Sequence, residues 1–147
     1  MKRLLITAIA TILLAGCLEF GDDVTLVAPN VTAKELAEVT GLTGLVFPEG
    51  TVGLGYFFLG SGIDDALALK VSIPEDKKFD FMKNDLFQTG DKSKPSIQIG
   101  KGQPWWELKD LKEREDLTKS LPQGKYVECS LGKEEGRWVA YISWMST

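Results

Sequence analysis

Between residues 66 and 73 the chain reads ALALKVSI. Leu67, Leu69, Val71 and Ile73 alternate with Ala66, Ala68, Lys70 and Ser72, a period of two that predicts a strand with one wholly apolar face. Residues 52–59, VGLGYFFL, predict the other arm of a hairpin, with Gly60, Ser61, Gly62, Asp64 and Asp65 supplying the turn chemistry. A second hairpin is expected at the C-terminal end, where KYVECSL and RWVAYISWM are joined by residues 132–136. With Glu134 and Glu135 at its tip, Leu131 faces Trp138, Cys129 faces Ala140 and Val127 faces Ile142, all on one face. Cys129 then serves as a small core hydrophobe. The opposite face carries Tyr126, Glu128, Ser130, Val139, Tyr141 and Ser143, and is expected to be covered in part at best.

Elsewhere the apolar spacing is helical. In TAKELAEVTGL, Thr32 and Glu35 form the pattern of a capping box, Leu36, Val39 and Leu42 share a face, and Gly41 is the expected stop. Residues 74–87 predict a helix that opens on Pro74, Glu75 and Asp76, with Phe79, Met82 and Leu86 as its buried stripe. Residues 107–117, ELKDLKEREDL, predict a short charged helix with Leu108 and Leu111 facing inward. Residues 24–29 are a short strand candidate, and residues 97–99 an edge strand or extended segment. Hairpins alternating with helices define an α+β class: one small domain, an antiparallel sheet built from two hairpins, and helices packed on one face.

The N-terminus obeys a different logic. Met1-Lys2-Arg3 is basic, and residues 4–15 are apolar apart from two threonines. That run is short of the roughly 20 residues a membrane span needs, and it has the order of a secretory signal peptide. It ends in Leu14-Ala15-Gly16-Cys17, which resembles the lipobox of bacterial lipoproteins. The resemblance implies cleavage before Cys17, a diacylglyceryl group on its thiol and an acyl chain on the new amino terminus. This covalent lipid is the one attached group expected; no other cofactor is. The domain organisation is then signal peptide 1–16, a lipid-anchored tether 17–23, and a globular domain 24–147. The competing reading is an ordinary signal peptide cut after Gly16, with Cys17 free or paired with Cys129. Leu18 stands where an aspartate would resemble an inner-membrane retention signal. The expected address is the outer membrane facing the periplasm in a Gram-negative cell, and otherwise the outer face of the plasma membrane.

Charge narrows the partners. The chain has 17 basic and 21 acidic side chains; losing Lys2 and Arg3 with the leader leaves 15 against 21, a formal charge of −6. An acidic domain is not expected to bind nucleic acid through its phosphates. There is no histidine, which removes Ser-His-Asp and Cys-His pairs and histidine-ligated zinc. Carboxylate-pair or Ser-Lys chemistry stays open.

The remaining candidates each have a plain structural reading. Trp105-Trp106, after Pro104, could form an aromatic platform for a sugar ring or a partner's apolar anchor, or could plug one end of the core. In an extended segment the two would point opposite ways, one buried and one exposed. Tyr126 and Tyr141, on the outer face of the last hairpin, are the second candidate surface. Asp22-Asp23 and Asp64-Asp65 lack the ladder of a calcium loop and read as turn chemistry. The charged run 107–116 reads as a solvated surface, and Cys129 lacks the exposure a nucleophile needs.

From about Leu45 to Trp144 the chain is similar to small bacterial lipoproteins of unknown function, in its Phe47-Pro48 turn, Asp64-Asp65 hairpin, Trp105-Trp106 loop and terminal hairpin. That resemblance implies no catalytic or binding residues. The expectation is a membrane-anchored envelope lipoprotein that acts as a non-enzymatic binding module. Its partners would be the membrane, through the lipid, and an envelope protein or cell-wall glycan. The alternative is a small enzyme that acts on envelope polymers with carboxylate chemistry.

Overall fold

The computed structural model describes residues 22–147. The signal peptide, Cys17 and most of the assigned tether lie outside the described residues. The chain runs β1 (Val24–Val27), α1 (Ala33–Thr43), β2 (Val52–Leu59), β3 (Ala66–Ile73), α2 (Lys78–Phe81), α3 (Asp85–Thr89), β4 (Lys112–Leu121), β5 (Lys125–Glu134) and β6 (Arg137–Ser146). The strands form one six-stranded antiparallel sheet in the order β1-β2-β3-β6-β5-β4. An α+β domain is thus observed. The sheet is larger than the two expected hairpins, because β1 adds to one edge and β4 to the other.

Strand β3 is central, and its alternation is kept: Leu67, Leu69, Val71 and Ile73 are buried on one face. They meet Val127, Cys129, Leu131, Ala140, Ile142 and Trp144 from β5 and β6, and Val39, Phe81 and Leu86 from the three helices. All three helices therefore pack on this face. The capping box of α1 is present: Glu35 accepts from the Thr32 backbone N–H at 2.7 Å. The helix passes Gly41 and stops at Gly44, whose φ of 76° closes a left-handed C-cap.

Residues 74–87 do not form one helix. A 3-10 turn over Glu75–Lys77 leads into the short α2 and α3. Asn84 breaks the run between them: its side chain bonds Val46 N–H at 2.7 Å, Val46 C=O at 2.9 Å and Phe81 C=O at 2.8 Å. Such side-chain bonds compete with the helical ladder. The break rotates the stripe. Phe81 is fully enclosed between Phe47 and Phe87, whereas Phe79, expected inside, is 73% exposed.

The expected helix over residues 107–117 is also corrected. Leu108–Asp110 is one 3-10 turn, and most of the remainder is edge strand β4. Helix-forming Glu, Lys and Arg are tolerated there because a sheet edge favours charge. Leu117 turns into the main core, opposite Cys129, and Leu111, just before the strand, is buried as expected but against the other sheet face. Residues 97–99 form no strand.

The terminal hairpin is longer than expected. Its turn is Glu135-Gly136, with φ of 50° and 77°, as the primed hairpin turns require. The register accordingly moves by two residues: Leu131 faces Ala140, Cys129 faces Ile142 and Val127 faces Trp144. A two-residue slip preserves the face, so the core assignment survives while the partners change.

Cys129 is buried in mid-sheet and has no disulfide partner among the described residues. Burial pushes its thiol pKa up, and the nearby Asp116 and Glu115 charges add to this. Native protein should therefore resist a thiol-directed reagent, with labelling appearing only on unfolding. Rapid labelling of the folded protein would contradict the observed core.

Candidate functional site

The second sheet face decides the fate of the aromatic candidates. It carries Ala68, Lys70, Val139 and Tyr141 at its centre and Glu128, Ser130 and Ser143 beside them. Sequence reasoning left this face half open. Instead, residues 91–111 cross it as a strap and bury it.

The strap is fixed at its start by a bridge between Asp91 and Thr118, with N–H···O distances of 2.8 and 2.9 Å. It is next held by Glu128, which is 2% exposed. This carboxylate accepts from Ser96 N–H at 2.7 Å, Ser96 hydroxyl at 2.9 Å and Ile97 N–H at 3.0 Å. A buried carboxylate is tolerated where several donors converge on it.

Farther along, the chain turns rather than extends: Gln103 N–H bonds Gly100 C=O at 2.9 Å, and Trp106 N–H bonds Gln103 C=O at 3.0 Å. That turn corrects the expected arrangement of the tryptophans. They do not point to opposite sides; their rings meet edge to face at 5.7 Å, and both lie against the sheet. Trp106 is 8% exposed, with its ring centroid 5.0 Å from that of Tyr141. Trp105 is half-buried. Two glycines make room for them. A Cβ on Gly55 would come within 2.2 Å of the Trp105 ring, and one on Gly100 within 2.3 Å of Trp106. The pair is therefore a plug, and Tyr141, at 1% exposure, belongs to the same packing.

Below the plug lies a polar network that the sequence reading did not single out. Lys70 Nζ lies 2.7 Å from Glu134 Oε1, and the Tyr141 hydroxyl donates to Glu134 Oε2 at 2.5 Å. Burial works to raise the Glu134 pKa, but the hydrogen bonds from Lys70 and Tyr141 and the Lys70 charge outweigh it and leave the carboxyl below its ordinary value. Burial also pushes the Tyr141 hydroxyl up, reinforced by Glu134. Nearer the β4 edge, Asp116 accepts from Ser130 and from Arg114, both at 2.6 Å. The signal for these groups was present: Lys70 and Glu128 are charges set inside otherwise apolar strands.

Tyr126 has a different position. It is half-buried at the edge of an open groove of about 390 Å³, lined by Ser96, Ile97, Leu121, Lys125 and Met145 among others. The structure thus separates the four aromatic candidates, leaving Tyr126 at a groove and placing the other three in packing. At the opposite end of the sheet, Lys109, Asp110, Lys112, Glu134 and Glu135 border a depression of about 560 Å³. Asp64 and Asp65 serve the β2–β3 turn, where Ser61 Oγ accepts from Asp64 N–H at 2.6 Å. Among the described residues, no helix is long and apolar enough to cross a membrane, and no metal-holding group of three or more His, Cys, Asp or Glu side chains occurs.

No protein-family model, no curated protein and no solved structure matches this chain.

Proposed function

We propose that this chain is a lipid-anchored envelope protein that works as a non-enzymatic binding module, with the groove beside Tyr126 as its contact surface. Cys17 carries the lipid, and the partner is an envelope protein or a cell-wall glycan. The observation that supports the reading is that the carboxylates on the strap-covered face, one buried and two half-buried, are already paired. Glu128 holds the strap, Glu134 is taken by Lys70 and Tyr141, and Asp116 is taken by Ser130 and Arg114. These carboxylates act as structural ties, which supports binding over carboxylate catalysis. Tyr126 offers an aromatic side chain in a groove that Ser96, Ser120 and Lys125 also line, a mixture suited to a sugar ring or an extended peptide.

The test uses the intact anchored protein in two assays: cross-linked capture from envelopes, and co-sedimentation with isolated cell wall. Tyr126→Ala should weaken capture by about tenfold, or 1.4 kcal/mol. Its melting temperature should fall by only a few degrees, as expected for a half-buried ring, so the variant stays folded in the assay. Undiminished capture by this variant would remove the groove from the proposal.

A further inference from the structure

The two ends of the sheet differ in chemistry, and the chain enters at one of them. Strand β1 begins at Val24, which pairs with Phe58 one residue before the end of β2. The β2–β3 turn lies just beyond, as does the turn between β4 and β5, and β6 ends beside them. This end exposes apolar side chains: Ile63 at 85%, with Val24 and Leu59 each at 38%. Ile63 is held at the tip of its turn, where Ser61 Oγ receives the N–H groups of both Ile63 and Asp64. The opposite end is the more charged, with Lys109, Asp110, Lys112, Glu134 and Glu135 around its depression and Arg137 nearby, although Val52, 54% exposed, and Phe79 lie toward it.

Chain length ties the apolar end to the bilayer. Only six residues separate Cys17 from Val24, so this end stays within about 25 Å of the lipidated residue, even with the tether fully extended. Strands of ten residues, at about 3.3 Å each, separate the two ends of the sheet by roughly 30 Å. We propose that the β2–β3 turn rests on the bilayer, with Ile63 in the interfacial layer as a second contact that stands the sheet end-on to the membrane. The inference depends on the reading of Cys17 as the anchor. The occupant is the lipid surface that the anchor itself enters. Asp22, Asp23 and Asp64 are exposed at the same end, so the contact favours neutral over anionic headgroups. The groove beside Tyr126 opens at this end too, which brings its ligand to the level of the membrane.

Hydroxyl-radical footprinting read by mass spectrometry tests the contact without substitutions. Two probes are already in place, Ile63 and Phe79; the latter is 73% exposed and lies toward the charged end, beside Lys78, whose ammonium group also sits over the Trp138 ring. The protein is compared free and on phosphatidylcholine vesicles in two forms. One is the natural protein purified from membranes. The other is the chain from Cys17 onward, coupled through that thiol to a maleimide lipid. Oxidation of Ile63 should fall several-fold on anchoring while that of Phe79 stays constant, and added phosphatidylglycerol at low salt should weaken the protection. Equal oxidation of Ile63 in the free and maleimide-anchored forms would overturn the contact, as would protection that grows with anionic lipid. Natural protein that carries no lipid on Cys17 would instead defeat the anchor reading, and the coupled form separates the two failures.

Discussion

Trp106→Ala should lower the unfolding free energy by about 3–5 kcal/mol, the range for deleting a buried aromatic side chain. For a domain of this size that is a fall in melting temperature of roughly 10–20 °C. The ring fills the space between the strap and the sheet, over Gly100 and edge-on to Tyr141. Its cluster is small, with Ala68, Leu111, Val139 and Tyr141 as the other buried members, so little is left to collapse into the hole. Trp105→Ala should cost less, on the order of 1–2 kcal/mol, because part of that ring already meets water. Thermal melts of the two variants check the ordering. A Trp106→Ala protein that melts like the parent would mean that the strap is not packed as described.

The strap is also where the sequence was least legible. Residues 88–96, QTGDKSKPS, are polar and carry no hydrophobic period, so nothing in them signals the surface that the strap covers. The sign lay in the sheet: Glu128 sits between Val127 and Cys129, and a charge in the middle of a buried strand needs donors from elsewhere. For the tryptophans the sequence left a binding platform and a plug both open, and the expected geometry, one ring buried and the other on the opposite side, is not the one observed. An extended segment was assumed, and the turn from Gly100 to Trp106 depends on backbone bonds that composition does not reveal.

Legibility of the fold followed burial. Strand β3 and the paired arms β5 and β6 alternate on a fully buried face, so their period was visible even though the register was off by two residues. Strand β4 was read as helix because an edge strand buries few side chains. Leu117 is one of only two fully buried positions in it, beside Thr118, and Leu108 and Leu111 imitate a helical stripe. The Phe79–Phe81 exchange has a tertiary cause, since Asn84 reaches across to Val46 and breaks the helix that would have put Phe79 inside.

Cys17→Ser should release the protein from membranes. One acyl chain holds only reversibly, and each buried methylene adds about 0.8 kcal/mol, so stable attachment comes from several chains on one residue. The Ile63 contact cannot replace them, because full burial of such a side chain contributes only about 1.5–3 kcal/mol. The variant should therefore leave the membrane fraction, with its folded domain unchanged in melting temperature, since the described core begins after the tether. Retention in the membrane fraction with unaltered abundance would show that some other feature holds the protein there.

The most direct measurement is the intact mass and amino-terminal fragment of the native protein extracted from envelopes. The expected species is a chain that begins at Cys17 and carries a diacylglyceryl group on the thiol, with or without a further acyl chain on the amine. A chain that begins elsewhere, or at Cys17 with a bare thiol, would contradict it.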